Sequence, residues 1–299
     1  GQGLGLGGEW GGAALLAVEN APPGFAARFG MFPQLGAPVG FIAANGFFLL
    51  LDLWLPAEQF QAWGWRIPFL GSALLIGVGL WVRLKLTETP AFKASLAHAP
   101  PPRVPIVEVL RDHGRALVAG SFAVVACYAI FYLTTAFALG YGTTTLGYSR
   151  TEFLSIQLMA ILFLAVGIVA SGILSDRFTP RAVLMAGCAA TVAAGFLLAP
   201  MLGSGSALLI LTFLSLALLL MGFVYGPLGA WLPGLFPVRV RYSGASLAFN
   251  LGGILGGALA PLIAAALAAR GGLVPVGLYL SGAALVSLVA LRALTEQPR

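Results

Sequence analysis

The sequence predicts an all-α polytopic membrane protein, and three observations carry the prediction. Hydrophobic residues make up 59% of the chain and charged residues only 9%, against about 25% charged in an ordinary soluble domain. Mean hydropathy over the 299 residues is +0.96, too apolar for one water-soluble core to hide. The apolar residues also fall in runs close to the ~20 residues a spanning helix needs, separated by stretches that hold most of the charge.

Nine such runs lie near 1–19, 31–53, 66–84, 116–140, 151–174, 181–202, 206–232, 243–269 and 273–293. In the first, Gly3, Gly7 and Gly11 recur at i, i+4 and i+8 with Gly8 and Gly12 beside them, a small-residue face that lets helix backbones approach closely. Gly3, Gly5 and Gly8 also match G-x-G-x-x-G, but that fingerprint needs a strand before it and none is visible. The third run opens at Arg66 beside Trp63 and Trp65, aromatic anchors at a membrane–water interface with the arginine snorkelling to the headgroups. The stretch 85–115 carries Lys85, Glu88, Lys93, Pro100-Pro101-Pro102, Arg103, Glu108, Arg111, Asp112 and Arg115. It reads as a solvated linker with a short surface helix at 105–113. The fifth run begins Ser149-Arg150-Thr151-Glu152, a capping box in which Ser and Glu satisfy the first free amides. Glu19 and Asp52, near span ends, are expected to be solvated.

Charge placement orients the spans. With 85–115 in the cytoplasm, Arg28, Arg83, Lys85, Lys93, Arg103, Arg111, Arg115, Arg177, Arg181, Arg239, Arg241, Arg292 and Arg299 are cytoplasmic, and Arg66, Arg150 and Arg270 lie outside. Thirteen against three is a strong positive-inside bias. The net charge of +6 therefore reports topology; the basic residues form no stripe for nucleic acid. Cys127 and Cys188 lie inside apolar runs and read as small buried residues. His98 and His113 fall in the linker, so no metal or cofactor site is expected, and neither an H-E-x-x-H pair nor paired membrane acids point to an enzyme.

A faint internal repeat runs through the chain. Leu86-Thr87-Glu88-Thr89-Pro90 follows the third run and Leu294-Thr295-Glu296-Gln297-Pro298 the ninth; Arg28-Phe29-Gly30 precedes the second and Arg241-Tyr242-Ser243 the eighth. The first three runs thus correspond to the last three. With six runs after the linker and three before it, three further helices are expected ahead of residue 1.

Gly172-Ile173-Leu174-Ser175-Asp176-Arg177 with Arg181 resembles the major facilitator loop signature G-x-x-x-D-R-x-G-R, although Phe178-Thr179-Pro180 departs from it. Gln2-Gly3 with Gly7-Gly8-Glu9-Trp10-Gly11-Gly12-Ala13, Val18-Glu19 with Ala21-Pro22, Trp63-Gly64-Trp65-Arg66-Ile67-Pro68-Phe69-Leu70, Arg83-Leu84 with Glu88-Thr89-Pro90, and Phe236-Pro237 with Arg239-Val240-Arg241-Tyr242-Ser243-Gly244 are together similar to the metabolite:proton symporter family. Gly234 stands where that family often has Glu. The resemblance implies helices 4–12 of a twelve-helix carrier in a bacterial inner membrane. Residues 1–84 would be the remainder of one six-helix bundle, 85–115 the linker and 116–299 the second bundle. It implies a monomer that moves a small metabolite with protons through the lipid bilayer by alternating access, with a facilitator or exporter as the alternative, and without cofactor or nucleic acid.

Within that frame Glu9 is the proton-site candidate, the one acid near the middle of a run, where an ionised carboxylate costs about 2.5–3.5 kcal/mol on insertion scales. Polar side chains inside runs are the substrate candidates: Gln34, Asn45, Tyr128, Tyr132, Gln157, Tyr225 and Asn250. Tyr128 and Tyr132 are one turn apart and share a face. Each of these could instead be an interhelical hydrogen bond. Gly172, Asp176, Arg177 and Arg181 form the gating loop that the resemblance implies.

Overall fold

In lipid every backbone amide must be paired within the chain, which leaves helices as the way to fold long apolar runs. The computed structural model describes residues 2–85 and 104–294, giving only the backbone at 2–6, 52, 57 and 83. Gln2, Gly3, Asp52, Arg83, Glu88, Lys93, His98, the Pro100–Pro102 run, Arg103, the Thr295–Pro298 motif and Arg299 lie, wholly or for their side chains, outside the described residues.

The described α-helices are α1 Gln2–Glu19, α2 Ala26–Gln34, α3 Gly36–Trp54, α4 Ala57–Ala62, α5 Ile67–Lys85, α6 Pro105–Asp112, α7 Gly114–Tyr132, α8 Ala138–Thr144, α9 Arg150–Arg177, α10 Pro180–Leu202, α11 Ala207–Tyr225, α12 Leu228–Trp231, α13 Arg241–Gly253, α14 Ala260–Gly271 and α15 Leu273–Ala293. Among the described residues eight spans are long and apolar enough to cross a membrane. The expected ninth, 1–19, is helical over 18 residues, but its six glycines and two glutamates leave it short of the apolarity of the others.

Several spans are jointed where the sequence suggested one rod, and the joints have local causes. The second span starts earlier than expected, at Ala26, and pauses at Leu35 between α2 and α3; Pro38 withholds the N–H that would meet the Gln34 carbonyl. A π-helical turn, Leu133–Phe137, joins α7 to α8. A second, Ile254–Ala258, joins α13 to α14, where Pro261 withholds the donor for the Gly257 carbonyl. The capping box forms as expected: Ser149 Oγ accepts from Glu152 N, and Glu152 Oε2 accepts from Ser149 N. The linker helix α6 is also where the charge pattern put it.

The core lies in the spans after residue 114. Phe153, Phe213, Ile130, Ile161, Leu164 and Leu214 are fully buried there, and the same cluster reaches Met31 of α2. By contrast, none of the best window in Gly64–Val82 is buried, so α5 presents its apolar surface outward. The helices alternate in direction as the charge asymmetry requires. Arg28, Glu19, Asp176, Arg181, Arg239, Arg241, Glu108 and Arg115 meet at one end, and the Tyr148 hydroxyl bonds the Gly205 carbonyl across the loops at the other.

Candidate functional site

The seam between α1–α3 and the later spans is where side chains from distant parts of the sequence converge. Small residues make it tight. A Cβ on Gly30 would stand 3.0 Å from Ala230 N and 3.1 Å from the Gly229 carbonyl carbon, so α2 and α12 cross backbone to backbone. Gly172 is covered by the side chain of Met31. On α1, Gly7, Gly8, Gly11 and Gly12 face Asn250, Tyr242 and Ser246 of α13, which is the close-packing face that their spacing predicts.

Along the seam lies an aromatic cluster with polar edges. Phe249 is its hub. It stacks on Trp10 at 3.8 Å between centroids and 2° between planes, and meets Tyr128 at 5.3 Å and Tyr225 at 6.4 Å. Tyr128 and Tyr132 are stacked at 6.5 Å, as expected of residues one turn apart. Trp10 Nε1 donates to Gln34 Oε1 at 3.0 Å. Gln34 is 0% exposed and its Nε2 has no hydrogen-bond partner, so a buried amide donor stands uncommitted in the seam. Asn250 Nδ2 donates to the Gly7 and Ser246 carbonyls, and the Tyr242 hydroxyl to the Gly8 carbonyl.

The expected substrate set is therefore brought together only in part. Gln34, Tyr128, Tyr132, Tyr225 and Asn250 reach the cluster. Asn45 bonds the Phe41 carbonyl one turn back on its own helix. Gln157 is turned to the Thr134 and Thr135 carbonyls. Glu9 is exposed, on α1 next to Trp10.

At the end assigned to the cytoplasm, ion pairs cross the seam. Arg28 Nε lies 3.1 Å from Asp176 Oδ2, and Arg28 N donates to Asp176 Oδ1 at 3.3 Å. The Asp176 side chain is 8% exposed. The Nε–Oδ2 contact is an ion pair without hydrogen-bond alignment, since neither atom has a bonded partner. Arg241 Nη1 lies 3.5 Å from Glu19 Oε1, whose side chain is 10% exposed. Glu19 is thus not the solvated span-end acid that its position suggested: α13 brings a guanidinium to it. Arg239 pairs with Glu108 of α6 at 2.8 Å. Arg177 is exposed. Arg181 bonds the Leu291 and Arg292 carbonyls, and Arg115 the Ala293 carbonyl, so both cations cap the C-terminus of α15. A cavity of about 760 Å³ opens at this end between Ala27, His113, Asp176, Thr179, Trp231 and Leu294.

Trp10, Phe249, Arg28 and Glu19 were not among the expected site residues. Arg28 and Arg241 are equivalent points of the internal repeat, and each crosses the seam to an acid. The two aromatics lie in apolar runs, where no polar atom singles them out.

A bundle of membrane-spanning helices with a polar and aromatic seam between two groups of spans has the architecture of a secondary transporter. Residues 1–255 match the Major Facilitator Superfamily, and the chain belongs to that superfamily. It is 46% identical over 304 residues to the inner membrane metabolite transport protein YhjE of Escherichia coli, an alignment covering 100% of this chain and 69% of that protein. It is 34% identical over 304 residues to the shikimate transporter of the same organism, with the same coverage. Against the proline/betaine transporter of Salmonella typhimurium it is 29% identical over 273 residues, 88% of this chain and 54% of the relative. The chain is a multi-pass transporter of the bacterial inner membrane and not an enzyme.

Proposed function

We propose that this transporter carries a small organic acid or zwitterion together with protons, by alternating access, acting as a monomer. Residues 1–84 and 116–299 belong to two bodies that rock about the seam, with 85–115 linking them. The observation that carries this reading is Gln34, whose buried, unpartnered Nε2 sits beside the Trp10–Phe249 stack. An unpaired buried amide donor costs about 1–3 kcal/mol, and a carboxylate or carbonyl oxygen of a substrate is the acceptor that relieves it. The relatives named for shikimate and for proline/betaine support carboxylate-bearing substrates. Glu9 is the proton site in this reading, and Arg28–Asp176 with Glu19–Arg241 closes the cytoplasmic side while the outer side is open.

Reconstituted protein tests it. Proteoliposomes under an imposed inward proton gradient would be offered shikimate, 2-oxoglutarate, citrate, proline and betaine. Accumulation of one compound, lost in Glu9→Gln while exchange persists, is the expected result. Uptake of that compound at the same rate with and without the gradient would leave a facilitator and remove the proton role of Glu9.

A further inference from the structure

The span Gly114–Thr144 is not a continuous α-helix, and the way its interruption is held points to a role for Gln157. A π turn holds one residue more than an α turn and is rarely stable by itself. In and just before the turn Leu133–Phe137, side chains add hydrogen bonds to the backbone carbonyls. The Thr134 and Thr135 hydroxyls bond back to the Ile130 and Phe131 carbonyls. The Thr134 and Thr135 carbonyls accept from a single atom, Gln157 Nε2 of α9, at 2.8 Å each. Gln157 is 2% exposed, and an amide nitrogen has two hydrogens. Both are spent on the turn, which leaves Gln157 poorly placed to donate to a substrate.

We propose that Gln157 is a positioning residue: it locks the π turn and thereby sets the rotation of α8 relative to the part of α7 that carries Tyr128 and Tyr132. The proposal deepens the transport reading and rests on it only for the claim that these tyrosines belong to the transport site. One residue corresponds to about 100° around a helix. Releasing the extra residue into a regular α-helix would therefore turn the whole outer segment. The register is tightly read on both sides. On the outer side, Phe153 of α9 covers Gly142 so closely that a Cβ there would clash. On the near side, Tyr128 and Tyr132 lie against Gly253 and Gly257.

The test needs no substrate, so it is separate from the test of transport. Single cysteines at the adjacent Thr143, half-buried, and Thr144, exposed, about 100° apart around α8, would be labelled with a membrane-impermeant maleimide in proteoliposomes; the native Cys127 and Cys188 are buried. Gln157→Met keeps the length and removes the donors. It is expected to change the ratio of the two labelling rates by about threefold or more, as a turn of roughly 100° requires. Deleting Thr135 takes out the extra residue, and in that background Gln157→Met should leave the ratio unchanged. A Gln157→Met protein that reaches the membrane only when Thr135 is deleted supports the clamp equally. An unchanged ratio in the native chain, the same change in both backgrounds, or misfolding in both, would overturn it. If labelling behaves as expected while no compound is taken up, the clamp stands and the transport reading of the tyrosines fails.

Discussion

Arg28 and Asp176, 148 residues apart in sequence, join the two sides of the seam at one end: the guanidinium Nε stands 3.1 Å from one carboxylate oxygen and the arginine's backbone N–H bonds the other. With Arg28 39% exposed, water screens the pair, and its worth is about 1 kcal/mol. That is a factor of about five in an equilibrium, enough to bias a two-state carrier without freezing it. Asp176→Asn should therefore raise cytoplasmic labelling of a cysteine at Ala27, a buried residue on the cavity wall, by about fivefold. The exchange of Arg28→Asp with Asp176→Arg should restore the lower rate. Equal labelling in all three proteins would leave the pair without a role in closure.

The Gly30–Gly229 crossing sets how near the two sides can come. Gly30→Val places methyl groups where Ala230 N and the Gly229 carbonyl carbon already stand at 3.0 and 3.1 Å from a Cβ, and backbone cannot yield as a side chain can. The cytoplasmic end should be wedged open. Pulsed EPR between labels at Phe25 and Phe178, both exposed, reads this as a longer distance.

Phe249 is expected to govern affinity. Phe249→Ala removes three ring contacts at once, each aromatic pair being worth about 0.5–1.5 kcal/mol beyond its burial. KM for the transported compound should rise about tenfold. Phe249→Tyr, which keeps the ring, should stay within about twofold of the parent. Equal effects of the two substitutions would place Phe249 outside the site.

Ser149→Ala separates stability from transport. The lost cap costs about 1 kcal/mol, which lowers Tm by about 2–4 °C in a protein of this size class. KM should not move, since the cap lies at the outer end of α9, away from the cluster.

What the sequence made legible was local. The capping box needs only residues three apart, and the shared face of Tyr128 and Tyr132 only helical periodicity. The glycine face of α1 was readable for the same reason. Pairings across the seam were not, because nothing in the neighbourhood of Glu19 names Arg241, and nothing near Gln157 names the Thr134 carbonyl. A span-end acid looks solvated until another helix brings it a cation. The π turns were hidden too. Pro261 could have raised suspicion of the second, but the first depends on a side chain from a different helix. Aromatic residues in an apolar run look like filler, so nothing distinguishes Trp10 and Phe249 in the sequence, although each sits beside a candidate site residue.

Asp176 in the last turn of α9 and Arg181 in the first turn of α10 stand five positions apart, yet they reach different parts of the fold. Arg181 is rooted in the terminal carbonyls of α15, which Arg115 grips from the start of α7, while Asp176 reaches across to Arg28. The α9–α10 junction is thus hooked to α2 on one side and pinned to α15 on the other. On the pinned side three helices, α7, α10 and α15, meet at one point. In the alternating-access reading, a pull on that carboxylate would be passed to α7, α10 and α15 together.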